Sequence, residues 1–263
     1  IPAIQIGHAG RKASTSRPWE GTRSISPKEP GGWQPIAPTD QPFADWHPPE
    51  AMNSGMIDRV LDDFSKAARR ALEAGFRLLE IHAAHGYLAH SFLSPLSNSR
   101  TDGYGGNIEN RARFIMEAID AVRASWPNDL PLFLRLSCTD WVEGGLTLDD
   151  TVKIVRLVRE QGAVDLIDCS SGGNDPRQQI PVHPGYQVPF AERIKRETGM
   201  KTAAVGLLHS PDFCEEIIAN GRTDLVVLGR TLLADPYWPL HAATKLRAKN
   251  LLWPVQYERA NIF

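Results

Sequence analysis

The residue types best able to do chemistry gather in one short stretch. Arg77–Tyr87 reads RLLEIHAAHGY, with His82, His85 and Tyr87 close behind the apolar run Leu78, Leu79 and Ile81. Such a run is the pattern of a strand buried on both faces. Gly86 permits a tight bend between the second imidazole and the phenol. Two imidazoles and a phenol therefore crowd the carboxyl end of a buried strand. In α/β proteins that end faces the ligand crevice, where groups of these types hold ligands or move protons. The plainer alternative is a pair of satisfied core histidines, with Tyr87 as packing.

Such side chains need a framework, and the sequence supplies a repeating one. Six runs read as strands: Ala3–Ile6, Phe76–Ile81, Leu132–Leu136, Val164–Ile167, Thr202–Val205 and Leu225–Leu228. Helical periods lie between them. Ile57, Val60, Leu61, Phe64, Ala68, Ala71 and Leu72 recur at helical spacing behind an N-cap at Asn53–Ser54, with Gly75 as the stop. Asn107 caps a helix carrying Phe114, Ile115, Ala118, Ile119 and Val122, and Pro127 lies beyond its end. Thr147 and Asp150 form a capping box ahead of Val152, Val155 and Val158, and Gly162 closes that helix. Further helices are expected at Phe190–Thr198, Asp212–Asn220 (capped by Ser210), Thr231–Ala234 and around Leu240–Lys249. Residues 11–52, rich in proline and without any period, read as a long excursion over one face of the fold. Residues 250–263 form a C-terminal tail.

Strands alternating with helices predict an α/β fold with a parallel sheet and helices outside. A closed (β/α)₈ TIM barrel needs eight strands. Six strands mean either an open doubly wound sheet or a barrel whose first two βα units lie upstream of Ile1. No Gly-rich phosphate fingerprint follows any strand, which favours the barrel. The expectation is one domain over residues 1–263. Its strand ends carry Gln5 and His8, His82 and His85, Arg135, Ser170, Gly206, and Gly229–Arg230. That clustering is what a barrel active site predicts. Gly206 and Gly229 let backbone amides approach a phosphate after the last two strands, and Arg230 could grip it bidentately. The alternative is two turn glycines and a surface charge.

Bulk properties narrow the class. The chain has 263 residues, 42% hydrophobic and 23% charged, as in ordinary globular proteins. A net charge of −2 gives no electrostatic case for nucleic acid or an anionic membrane. Apolar runs are too short to span a bilayer, and Ile1–Ile6 lacks the features of a signal peptide. Cys138, Cys169 and Cys214 are scattered, which argues against disulfides, zinc or iron–sulfur clusters and favours a reducing, cytoplasmic compartment.

Seven blocks, in order, resemble the old yellow enzymes. They are GHAGRK (Gly7–Lys12), EIHAAHGYL (Glu80–Leu88), FLSPLSNSRTDGYGG (Phe92–Gly106), the arginine of LRLS (Leu134–Ser137), DCSSG (Asp168–Gly172), AVG (Ala204–Gly206) and LGR (Leu228–Arg230). PGYQVPFAERI and the PVQYER tail are similar to the bacterial subgroup that includes xenobiotic reductases and NADPH dehydrogenases. The resemblance implies an FMN-binding barrel that takes hydride from NADPH or NADH. It then passes the hydride, by a ping-pong cycle, to the activated C=C of an α,β-unsaturated carbonyl or nitro compound. By resemblance, Gln5 bonds the flavin's pyrimidine edge, Arg135 lies beside N1 and the C2 carbonyl, and Arg230 with amides near Gly206 and Gly229 holds the phosphate. His82 and His85 would donate to the substrate oxygen, and Tyr87 would deliver the proton to the α-carbon. Arg259, with Trp253 beside it, resembles a residue that reaches a neighbouring subunit's site, which implies a homodimer or homotetramer.

Other readings stay open. Dienoyl-CoA and amine dehydrogenase relatives carry a cysteine cluster and an extra domain that this sequence lacks. A metal-dependent hydrolase could use His82 and His85 as ligands, though it needs a third. A truncated, non-catalytic barrel could act as an interaction partner.

Overall fold

In the computed structural model, which describes residues 1–248 and 253–260, the chain opens with strand β1 (Ala3–Ile6). The excursion that follows is more ordered than its composition implies. It holds single 3-10 turns at Gly10–Lys12 and Pro18–Glu20 and an antiparallel bridge between Thr15 and Ser24. A parallel ladder joins β2 (Ile36–Ala37) to β3 (Glu50–Ala51). Helix α1 (Ser54–Glu73) starts where its cap requires, with Asn53 Oδ1 accepting from the Met56 N–H at 3.0 Å. It ends in a Schellman pattern, the Phe76 N–H donating to Ala71 O at 3.1 Å and the Gly75 N–H to Leu72 O at 3.0 Å. Its buried face is Ile57, Val60, Phe64, Ala68 and Ala71; each large side chain there contributes roughly 1.5–3 kcal/mol by leaving water.

Strand β4 (Leu78–Ala83) runs two residues past the apolar run and includes His82. A short helix, α2 (Leu88–Leu93), has no counterpart in the sequence pattern, because all six of its residues are buried and no amphipathic period exists. The chain continues through α3 (Ile108–Arg123), β5 (Leu132–Ser137), α4 (Leu148–Gln161), β6 (Leu166–Ser170) and α5 (Val188–Thr198). Asn107 caps α3, and Thr147 with Asp150 forms the capping box of α4. Then come β7 (Lys201–Ala204), α6 (Pro211–Ala219), β8 (Leu225–Val226), α7 (Arg230–Ala234) and α8 (Trp238–Lys245). Ser210 stands at the N-cap of α6 but its side chain makes no capping bond. The expected helix end at Lys249 and residues 250–252 and 261–263 of the tail lie outside the described residues.

The six expected strands form one parallel sheet in the order β1-β4-β5-β6-β7-β8. Helices α1, α3, α4 and α5 pack side by side, as right-handed crossovers between successive neighbouring strands require. The sheet curls but does not close. β1 and β8 are both edges, so the described strands form part of a barrel and not the eight-stranded ring. Register divides the sheet into two unlike faces. Leu79, Ile81, Leu134 and Ile167 join the helical core. On the opposite face Gln5 sits beside Glu80, and His82, Arg135 and Asp168 lie abreast, with Ser170 one step further along β6. Among the described residues, no helix is long and apolar enough to cross a membrane.

Candidate active site

The polar face converges on the ends of β4, β5 and β6. His82 Nδ1 accepts from the Ala84 N–H at 3.2 Å, so in the neutral ring its proton sits on Nε2. That Nε2 lies 3.3 Å from His85 Nδ1, and the other nitrogen of His85 lies 2.7 Å from Ser170 Oγ. The Tyr87 ring centroid is 4.9 Å from that of His82. Burial and the nearby Arg135 charge lower both imidazoles, His82 to about 4 and His85 to about 3. Both rings are therefore neutral near pH 7.

The loop carrying these rings is held in an unusual backbone path. His85 has φ +59°, a left-handed conformation that costs energy in a residue with a Cβ. Gly86 (φ +74°) and Gly173 (φ +86°) cross here so closely that a Cβ on Gly86 would lie 2.3 Å from Gly173 O. Lys12 bridges the crossing, its Nζ donating to His85 O at 3.1 Å and Gly173 O at 2.7 Å. Burial, and then the charge of Arg11, lower that ammonium to about 8. Arg11 Nη2 donates to Asn174 O at 2.6 Å, tying the loop after β6 to the excursion as well. Ser137 takes the His85 N–H on its Oγ at 2.9 Å and donates to Gly172 O at 2.8 Å. Below, fully buried His90 accepts the Gly86 N–H on Nδ1 at 2.9 Å, and its Nε2 lies 3.1 Å from Asp140 Oδ1. Burial alone would raise the Asp140 carboxyl, but His90, Ser94 and the Leu146 amide outweigh it and hold it low.

Beside the histidines, Arg135 Nε lies 3.3 Å from Asp168 Oδ2 without making a hydrogen bond. Burial pushes the Asp168 carboxyl up despite that arginine, and Glu80 is also raised by burial. Arg135 opens into a cleft of about 640 Å³ shared with Ser170, Tyr186, Gln187, Gly206, Leu207, Gly229 and Arg230. A Cβ placed on Gly229 would meet nothing within 4 Å.

Arg135, Gly206, Gly229 and Arg230 thus share one cleft, and Ser170 links it to His82, His85 and Tyr87. Gln5 lies on the same face of the sheet but outside the cleft, its Nε2 donating to Glu80 Oε1 at 2.6 Å. Arg259 is exposed on the 3-10 segment Val255–Ala260, also outside this cleft. Lys12, Ser137, His90 and Asp140 support the site and were not singled out by sequence; their partners are remote in the chain. Among the described residues no group of three or more His, Cys, Asp or Glu is placed to hold a metal ion, so the third ligand that a hydrolase would need is not found.

Comparison with known proteins agrees with this arrangement. Residues 2–249 match the sequence profile of the NADH:flavin oxidoreductase / NADH oxidase family. An NADPH dehydrogenase of Geobacillus thermodenitrificans is 51% identical over 257 residues, which cover 97% of this chain and 69% of that protein. An NADPH dehydrogenase of Bacillus subtilis is 45% identical over 256 residues, 97% of this chain and 70% of that protein. Among solved structures, a complex of 2-naphthoyl-CoA reductase with 2-naphthoyl-CoA superposes with a TM-score of 0.79 at 28% identity. It matches 92% of this chain, which spans 38% of that longer one. Morphinone reductase superposes with a TM-score of 0.72 at 25% identity over 97% of this chain and 67% of its own. The resemblance to the old yellow enzymes holds across nearly all of the sequence: the chain belongs to the NADH:flavin oxidoreductase / NADH oxidase family.

Proposed function

We propose that this chain carries the catalytic site of an FMN-dependent NAD(P)H oxidoreductase that reduces the activated C=C of α,β-unsaturated carbonyl or nitro compounds by a ping-pong cycle. The observation that carries the reading is the convergence of His82 Nε2 and His85 Nδ1, 3.3 Å apart, beside the cleft that Arg135 shares with Gly206, Gly229 and Arg230. The residues fit FMN. Arg135 Nε is buried and lacks an acceptor, and the space beside Gly229 is open where a side chain would intrude. When bound, FMN would accept hydride from the nicotinamide and supply it to the substrate.

The chain's own residues take the remaining tasks. Arg230 and amides near Gly206 and Gly229 hold the phosphate, Arg135 sets a fixed positive charge by the flavin's pyrimidine edge, and Gln5 bonds that edge after releasing Glu80. Neutral His82 and His85 donate to the substrate oxygen and draw electron density from the β-carbon. Tyr87 delivers the proton to the α-carbon. Arg259, exposed and away from this cleft, serves the site of a neighbouring subunit in a homodimer or homotetramer. The metal-dependent hydrolase and the non-catalytic barrel are not favoured. The test is the visible spectrum without oxygen. A flavin band that bleaches with NADPH and returns with cyclohexenone is expected, whereas protein that stays colourless after addition of FMN contradicts the proposal.

A further inference from the structure

The two imidazoles can be hydrogen-bonded in two ways, and only one leaves donors free. His82 is fixed as the Nε2–H form by the Ala84 amide. If His85 also carries its proton on Nε2, it donates to Ser170 Oγ while its Nδ1 accepts from His82. The pair then satisfies itself and offers nothing to a ligand. If the His85 proton sits on Nδ1, two N–H groups face one space, and Nε2 needs a donor. Ser170 Oγ is placed to be that donor at 2.7 Å. Its rival acceptor is Gln187 Oε1, at 3.5 Å and already taken by Ser171 Oγ at 2.6 Å. The Gln187 amide cannot turn away, because its Nε2 donates to Val205 O at 3.0 Å.

We infer that Ser170 is a positioning residue: by donating to His85 Nε2 it holds the His85 proton on Nδ1, so that both histidines donate to one oxygen. The inference rests on reading the histidine pair as the site of a carbonyl or nitro oxygen. Changing arrangement leaves net charge unaltered, since His85 releases one proton to water at Nε2 and takes one up at Nδ1 while the hydroxyl rotates. Two N–H groups aimed at each other repel, so an oxygen acceptor between them selects this state.

The test uses FMN-loaded protein labelled with ¹⁵N at histidine and saturated with cyclohexenone, without nicotinamide. Long-range ¹⁵N–¹H correlation shows which nitrogen of each ring is protonated. His85 is expected to be protonated at Nδ1 in the wild type and at Nε2 in Ser170→Ala. Cyclohexenone should bind Ser170→Ala about tenfold more weakly, the scale of one lost hydrogen bond, and Ser170→Thr should restore both readings. Should Ser170→Ala fail to fold, the His85 tautomer in wild type and Ser170→Thr decides. Protonation of ligand-bound wild type at Nε2, or an unchanged tautomer and affinity in Ser170→Ala, overturns the inference. Flavin content, read from the visible spectrum of the same samples, tests the underlying function separately from the tautomer.

Discussion

The histidine loop and the Gly206–Arg230 cleft flank the same strand ends but are built on opposite plans. The loop is closed by the chain itself. Its rings are buried or half-buried, and Lys12, Ser137 and His90 all bond to its backbone. The cleft is open: β8 is two residues long, and Gly229 and Arg230 are exposed. The difference follows from the two tasks. Rings that donate to a reacting oxygen must be held in place before the substrate arrives. A phosphate grip works by charge and by amides kept unpaired, so its order comes with the ligand. Changes in the loop should therefore damage folding, and changes in the cleft should damage flavin binding alone.

Asp140→Ala should have the largest effect. It strips the carboxylate from beside buried His90 Nε2 and removes the acceptor of Ser94 Oγ and the Leu146 N–H, and the buried donors left unpaired cost about 3–5 kcal/mol in denaturant unfolding. Gly86→Ala comes next. Its Cβ would press on Gly173 O at 2.3 Å in a left-handed backbone, at a cost of about 3 kcal/mol, and thermal unfolding should show it. Acid should weaken the loop more gently. The folded-state values of His82 and His85, about 4 and about 3, lie below the unfolded value near 6.5, so the unfolded chain binds more protons in between. Their contribution is complete above about pH 6.5 and is lost as pH falls, at up to roughly 1.4 kcal/mol per pH unit for each ring. The raised Asp168 carboxyl slopes the other way, favouring the folded state as pH falls, so His85→Gln is compared with wild type to isolate one imidazole's slope. Gly229→Ala should be the mildest for the fold, changing stability by less than about 0.5 kcal/mol while weakening FMN binding about tenfold. A Gly229→Ala protein that unfolds early but keeps its flavin affinity would break the comparison.

Much of this was legible because its causes are local. Asn53, Asn107 and the Thr147–Asp150 box fix helix starts within four residues of chain, and all three form as read. Strand ends were less legible where the sheet's inner face is polar. β6 reads from sequence as Val164–Ile167 but occupies Leu166–Ser170, because Asp168 and Ser170 look like loop residues until the inner face is known. Arg135, Gly206, Gly229 and Arg230 stood out as a charge or glycines at strand ends, and they do share a cleft. Lys12 and His90 gave no local signal. Lys12 meets Gly173 across 161 positions, and the pairing of His90 with Asp140 exists only once α2 has folded against the loop after β5.

Hydrogen exchange with and without FMN tests the central claim most directly. Amides in residues 82–91 and 170–174 should already be protected in the flavin-free protein, and those in 205–209 and 227–235 should gain protection only with FMN. A histidine loop that exchanges freely until FMN binds, or a cleft that gains no protection from it, would contradict the account.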